Sequence, residues 1–296
     1  MTLCNVQRSS VSTDRPRANR EFAVRLDRFR RVSSAAALLV LLGGSLAAQE
    51  SLAPRIISLK DSAEMVLVPR GSFIAGTNQS ELKAMLKRMK QPMMPVFETE
   101  SRKETRTLGD IYIDRYEVTN EQYERFMKAT GHAAPRYWNW PQFSDRRRPV
   151  VGIGWADAEA YCAWAGKRLP TEDEWEKAAR GSDGRIWPWG NLPDENRFNG
   201  KPQANYGPVA VGSFPAGDSP YGASDMAGNV WEMTYGTSAR SSKAMRGGSF
   251  LNTTPEVRTT VRWAPKDPDR GANWLGFRCV MDAKNVKEYA RPQSSP

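Results

Sequence analysis

Sixteen residues, Gly166-Lys-Arg-Leu-Pro-Thr-Glu-Asp-Glu-Trp-Glu-Lys-Ala-Ala-Arg-Gly181, constrain this chain more than any other stretch. Thr171 stands at an N-cap position and Glu174 follows three residues later, the reciprocal pattern of a capping box. Trp175, Ala178 and Ala179 recur at helical spacing and form one apolar face. Gly181 stops the helix. Upstream, Asp157 reads as the cap of a helix that runs to Ala165 and ends at Gly166. Two capped helices joined only by Lys167-Arg-Leu-Pro170 must meet at a tight corner.

Short elements surround that corner. Residues 65–68 and 72–77 read as strands separated by a Pro69-Arg-Gly71 turn, and residues 111–113 as another strand. Thr119 and Gln122 make a second capping box, opening a helix that Gly131 closes, with Tyr123, Phe126 and Met127 on one face. Leu82, Met85, Leu86 and Met89 define an amphipathic helix over residues 81–90. Its methionines, with Met93 and Met94, read as adaptable core packing rather than a soft-metal site. From Trp187 onward Gly, Pro, Asn and Asp recur every few residues, without a long helix, a P-loop or a solenoid repeat. The ten Trp are the anchors available to such loops. The chain therefore reads as one loop-rich domain with short strands and helices.

The N-terminus carries a different signal. Arg25, Arg28, Arg30 and Arg31 precede the apolar run Ala35-Ala-Ala-Leu-Leu-Val-Leu-Leu42, and small residues follow at Ser45, Ala47 and Ala48. This is the order of a secretory signal, and the run is shorter than the ~20 residues a membrane span needs. Residues 1–48 are expected to be a signal peptide, 49–60 a linker, 61–283 one domain and 284–296 a polar tail. Export would leave a secreted or periplasmic protein without stable membrane insertion. The leader supplies +5 of the formal net charge of +10, from eight Arg against Asp14, Glu21 and Asp27. The remainder is mildly basic and shows no basic stripe interleaved with aromatics, so nucleic acid is not an expected partner. Beyond Cys4 in the leader stand only Cys162 and Cys279, which can pair or remain two buried thiols.

Seven blocks in order, among them Glu117-Val-Thr-Asn120, Trp187-Pro-Trp-Gly-Asn191, Gly228-Asn-Val-Trp-Glu232, Arg246-Gly-Gly-Ser249 and Gly276-Phe-Arg278, resemble the sulfatase-modifying-factor family. The resemblance implies the formylglycine-generating-enzyme fold, an irregular α+β module related to C-type lectins. It implies a disulfide between Cys162 and Cys279, which would close a loop worth about 3–5 kcal/mol. It also implies one Ca2+ site at Asp225, Gly228, Val230 and Glu232, with carboxylates from the acids and backbone carbonyls from the other two. A capped turn at Asp225 is the alternative reading.

One departure matters most. Catalytic members carry a cysteine three residues after the serine matching Ser249 and another five residues further on. Those positions are Asn252 and Val257 here, and neither can be a thiolate. Formylglycine generation is therefore not expected, nor is copper. The single histidine, His132, cannot supply a 2-His-1-carboxylate iron triad, and residues for other catalysis are not identified. The expected function is a calcium-supported binding or accessory module. Its retained cleft would lie near Trp231, Arg246, Ser249, Asn252, Arg258 and Arg262 and take a peptide, glycan or protein. The alternative is a cysteine-independent oxidoreductase that tailors a peptide or metabolite.

Overall fold

The computed structural model describes residues 52–236 and 242–293. The chain divides into units 1–49 and 50–296, and every described residue lies in the second. The leader expected over residues 1–48 falls outside the described residues. Among the described residues no helix is long and apolar enough to cross a membrane.

Along the chain, β1 (Arg55–Ser58), β2 (Glu64–Val68) and β3 (Gly71–Ala75) precede α1 (Gln79–Arg88) and the single turn α2 (Pro95–Glu98). Then come β4 (Glu104–Leu108), β5 (Ile111–Asp114), α3 (Asn120–Thr130), α4 (Trp155–Trp164) and α5 (Glu172–Arg180). The last third holds β6 (Trp231–Tyr235), β7 (Lys243–Arg246), β8 (Arg262–Trp263), β9 (Leu275–Gly276), β10 (Val280–Asp282), α6 (Val286–Tyr289) and β11 (Ala290–Pro292). This is the irregular α+β arrangement that the sequence implies.

Three small sheets result. The largest runs β10-β5-β2-β1-β11 and is antiparallel throughout, with Val66 and Val280 both opposite Ile113. The second pairs β3 with β4. The third runs β8-β7-β6-β9, and its β6–β9 pair is parallel.

Two boundaries differ from the sequence reading. Residues 55–58, expected as linker, form β1, and residues 286–292, expected as polar tail, form α6 and β11. The strands are four and three residues long, too short for alternation to be read, and they are defined by pairing with each other.

Helix starts follow the caps. Thr119 and Thr171 make capping boxes with Gln122 and Glu174. In α4 the correction is one of position: Gly154 is the N-cap, and Asp157 sits in the first turn. There Asp157 Oδ2 accepts the Gly154 N–H at 2.9 Å. Its carboxylate reaches backward as the Gln122 and Glu174 side chains of the other boxes do, so the acid marks the third helical residue rather than the cap.

The aromatic anchors expected of a Trp-rich chain lie inside, with Trp155, Trp175, Trp187 and Trp231 buried. The Cys162–Cys279 disulfide ties α4 to the residue preceding β10 across 117 residues of sequence. The corner between α4 and α5 hides an ion triad. Lys167 Nζ lies 2.7 Å from Asp61 Oδ2 and 2.7 Å from Asp114 Oδ1, with all three side chains out of solvent. Burial pushes the Asp114 carboxyl up to about 6 against the pull of Lys167. Burial also opposes ionisation of Asp61, but the charge and hydrogen bond of Lys167 outweigh it and hold that carboxyl below its usual value.

Candidate functional site

Strand β6 divides two environments at adjacent residues. Trp231 faces a cleft and Glu232 faces a buried charge cluster. The cleft encloses about 370 Å³ between α2, β8 and the loop after Ser249, with Met94, Val96, Trp231, Asn252, Glu256 and Trp263 in its wall. The α2 side is held by Thr99, whose Oγ1 lies 2.8 Å from the Val96 carbonyl and 2.9 Å from the Arg262 carbonyl. Trp231 is buried whereas Trp263 is 48% exposed. Their ring centroids are 6.0 Å apart with planes at 72°, and Trp274 stacks on Trp263 at 6.0 Å.

Asn252 is a closed node in that wall. Its Oδ1 accepts from Trp231 Nε1 at 3.0 Å, the Ser249 amide at 2.9 Å and Ser249 Oγ at 3.0 Å. Its Nδ2 donates to Glu256 Oε1 at 2.9 Å. Val257 is wholly buried in the main core. The Asn amide thus joins Trp231 to the Ser249 turn, and the second of the two positions is sealed from any ligand.

The sequence-predicted cleft residues separate into two groups. Trp231 and Asn252 line the cleft, and Ser249 supports Asn252. Arg246, Arg258 and Arg262 do not belong to it. Arg246 is buried, ion-paired with Glu176, and donates to the Thr260 and Val261 carbonyls. Arg258 is buried against Glu100 and donates to the Pro255 carbonyl. Arg262 Nε and a terminal nitrogen bind the Glu172 carboxylate at 2.6 and 2.9 Å. These arginines read as surface contacts only because sequence does not show their carboxylate partners, which lie 70 to 158 residues away. The residues missed were Trp263, Glu256 and Met94. The Trp-rich composition around residue 263 was the one available hint.

On the other side of β6, Arg278 is fully buried and binds Glu232 twice, Nε to Oε2 at 2.6 Å and a terminal nitrogen to Oε1 at 2.7 Å. Trp175 Nε1 adds a third bond to Glu232 Oε2 at 2.7 Å. Asp225 and Glu117 lie within the same electrostatic neighbourhood. Asp225 Oδ2 accepts the Gly212 amide at 2.6 Å. Glu117 Oε1 accepts from Asn229 Nδ2 at 3.0 Å, but Glu117 Oε2 is buried without a hydrogen-bond partner. Burial pushes both carboxyls up, Asp225 to about 6 and Glu117 well above its ordinary range, although Arg278 pulls the other way.

The turn itself is strained toward that cluster. Asp225, Gly228 and Asn229 all have positive φ, at 56°, 79° and 59°. A Cβ on Gly228 would collide with the Asn199 carbonyl, so only glycine fits. Neither the Gly228 nor the Val230 carbonyl accepts any of the described loop hydrogen bonds. The donors fit a hard cation in part. Asp225 and two carbonyls are available, the orphaned Glu117 oxygen adds a fourth group, and Glu232 is largely committed to Arg278. Among the described residues, no three His, Cys, Asp or Glu side chains alone are gathered as a metal site.

His132 takes no part. Its Nε2 pairs with Asp157 Oδ1 at 2.9 Å and its ring packs on Phe126.

Comparison with known proteins agrees with this geometry. The sulfatase-modifying factor enzyme 1-like domain matches residues 53–283. The chain belongs to this family. It is 42% identical over 159 residues to inactive C-alpha-formylglycine-generating enzyme 2 of Mus musculus, covering 47% of this chain and 51% of that protein. The match spans only about half the length of that relative. The formylglycine-generating enzyme of Mus musculus is 29% identical over 305 residues, covering 77% of each chain. Among solved structures, PvdO from Pseudomonas aeruginosa is similar at a TM-score of 0.60 and 25% identity, covering 79% of this chain and 99% of its own. Treponema denticola variable protein 1 shares the fold at a TM-score of 0.59 and 19% identity, covering 74% of this chain and 95% of its own. The fold is thus the formylglycine-generating-enzyme fold, related to C-type lectins.

Proposed function

We propose that this family member is an exported, calcium-supported binding or accessory protein that does not generate formylglycine, and that its ligand occupies the aromatic cleft. One observation carries the reading. The first position expected for a catalytic cysteine holds Asn252, every polar atom of which is engaged, and the cleft beside it remains open. A carboxamide cannot act as a thiolate nucleophile or a soft copper ligand. Val257 at the second position is buried, so no resolving thiol is available there. An asparagine fixed by three neighbours preserves the shape of the wall without the chemistry of the family.

Calcium in this reading would be held by the Asp225 carboxylate and the Gly228 and Val230 carbonyls, with Glu117 as a neighbouring anion. Bound there, it would supply positive charge beside carboxylates that Arg278 alone does not balance. The support is the buried, unpartnered Glu117 oxygen. Export rests on the Arg-then-apolar order of residues 25–48.

The deciding experiment incubates the purified protein with copper and a cysteine-containing sulfatase peptide, and traps any aldehyde with a hydrazide. No aldehyde is expected. Aldehyde formation above a copper-only control would overturn the reading. Elemental analysis of the same preparation should find calcium near one equivalent, whereas stoichiometric copper or iron would favour the oxidoreductase alternative.

A further inference from the structure

We propose that the cleft takes a compact organic cation, an alkylated ammonium group, in the corner between Trp231 and Trp263. This rests on the reading of the cleft as a binding site and names the ligand chemistry. Three features of the wall point the same way.

The first is aromatic geometry. Trp231 and Trp263 pack edge to face, with planes at 72° and centroids 6.0 Å apart, and both line the cleft. Trp263 is braced from behind by Trp274, stacked within 2° of parallel, so the corner is held in place before any ligand arrives. An indole face attracts a cation through its quadrupole, most strongly where water is excluded.

The second is charge. Glu256 is the one ionisable side chain in the wall, and no Lys or Arg lines the cleft. Its hydrogen bonds come from neutral donors: Asn252 Nδ2 at 2.9 Å, the Thr253 amide at 2.8 Å and the Thr253 hydroxyl at 2.6 Å. Among the described ion pairs none includes Glu256. The carboxylate therefore biases the cleft toward a positive guest, while the nearby arginines at positions 246, 258 and 262 are each held by another glutamate.

The third is the shortage of free hydrogen-bonding groups. Asn252 Oδ1 already accepts three hydrogen bonds and its Nδ2 donates to Glu256, and Thr99 Oγ1 lies against two backbone carbonyls. Met94, Pro95 and Val96 complete the wall with apolar surface. A sugar would ask for several directed hydrogen bonds that this wall does not offer. A primary ammonium would leave N–H donors unsatisfied against indole and thioether. An alkylated ammonium has a positive charge and an apolar surface with few or no N–H donors, which matches indole faces plus one carboxylate.

The test titrates the full chain with choline and, separately, with its uncharged isostere 3,3-dimethylbutan-1-ol, following indole N–H resonances by NMR. Choline should give saturable shifts, and the alcohol should bind at least about tenfold more weakly. Trp263→Ala, at a half-exposed position that should tolerate truncation, should abolish the shifts while melting as wild type does. Glu256→Gln keeps one acceptor for Thr253 but turns an NH2 toward Asn252 Nδ2, and should weaken choline about tenfold and the alcohol much less. Equal binding of choline and alcohol would overturn the cation proposal and leave an apolar binding cleft. Saturation by neither would overturn the proposal and count against the cleft itself.

Discussion

Two buried clusters in this molecule both combine arginine with carboxylates and are opposite in balance. Around α5 and β7, three buried guanidiniums, Arg180, Arg246 and Arg258, meet Glu176, Glu172 and Glu100. Their surplus N–H groups donate to carbonyls of Gly76, Gly184 and Pro255. Around β6 and the Gly228 turn, one guanidinium, Arg278, faces three carboxylates, and Glu117 keeps a buried oxygen without a hydrogen-bond partner. The first cluster matches its guanidiniums with carboxylates, although Arg246 Nε is buried without a hydrogen-bond partner, and this pairing explains why Arg246 and Arg258 are unavailable to a ligand. The second is short of positive charge. The lesson is that counting charged partners around a buried group separates arginines matched by carboxylates from carboxylates short of positive charge, where residue type does not.

The comparison can be broken most directly at the balanced cluster. Arg258→Ala would leave Glu100 buried and unpaired, at a cost of about 3–5 kcal/mol. At about 2–4 °C per kcal/mol for a domain of this size, the melting temperature should fall by roughly 10 °C. Replacing both partners with methionine should recover most of that loss. A single variant that melts within a degree or two of wild type would show that the pair is not closed in solution.

Next in size is the disulfide, whose Cys279 adjoins Arg278. Cys162→Ser should cost up to about 3–5 kcal/mol under oxidising conditions. It should also enlarge the dependence of melting on calcium, because the Arg278 cluster then loses its covalent support. Unchanged melting, with thiols titratable in both proteins, would remove the bond from the account.

Glu117→Gln sharpens the contrast itself. In chelator, at a pH high enough to ionise Glu117, it removes an uncompensated buried charge and should raise stability by about 1–2 kcal/mol. With calcium present the gain should vanish or reverse. Glu100→Gln, which strands Arg258 instead, should destabilise under both conditions. If the two glutamine variants behaved alike, the distinction between balanced and unbalanced clusters would fail.

How much of this was readable beforehand follows the range of the interactions. Both Thr capping boxes were legible because Thr119 and Gln122, like Thr171 and Glu174, are three residues apart, and so was Gly181. Asp157 was misplaced by three residues because a carboxylate can serve either as the cap or as the acid reaching back to it. β11 was missed because its partner β1 lies more than 200 residues away, with Ile56 opposite Pro292, and β1, although it also pairs with the nearby β2, because four residues are too few for alternation to show. At the site, Trp231 and Asn252 were found through a local motif. Trp263 was passed over and Arg246 and Arg258 were wrongly included, since whether an arginine is free depends on a glutamate far along the chain.

The smallest expected effect is on pH dependence, and it concerns a third cluster that lies between the other two in balance. Lys167 faces two carboxylates, Asp61 and Asp114, and Asp114 is pushed up to about 6 by burial. A carboxyl whose folded value lies above its unfolded value of 3.8 binds its proton more tightly in the native state. Its stabilising contribution is therefore complete below the unfolded value and is lost as pH rises through about 6. Asp61 is shifted the other way, so its contribution is already complete above its unfolded value and stays constant between about pH 5 and 7. Over that window the net change should be a loss of about 1 kcal/mol on raising pH, or roughly 2–4 °C of melting temperature. Asp225 and Glu117 carry the same sign, and saturating calcium would hold them ionised and remove their share. In calcium, then, the remaining slope should belong to Asp114, and Asp114→Asn should flatten it. A slope that survives Asp114→Asn would place the titrating group elsewhere. A slope of opposite sign would mean that Lys167 fully compensates both carboxylates, making this triad as closed as the arginine cluster beside α5.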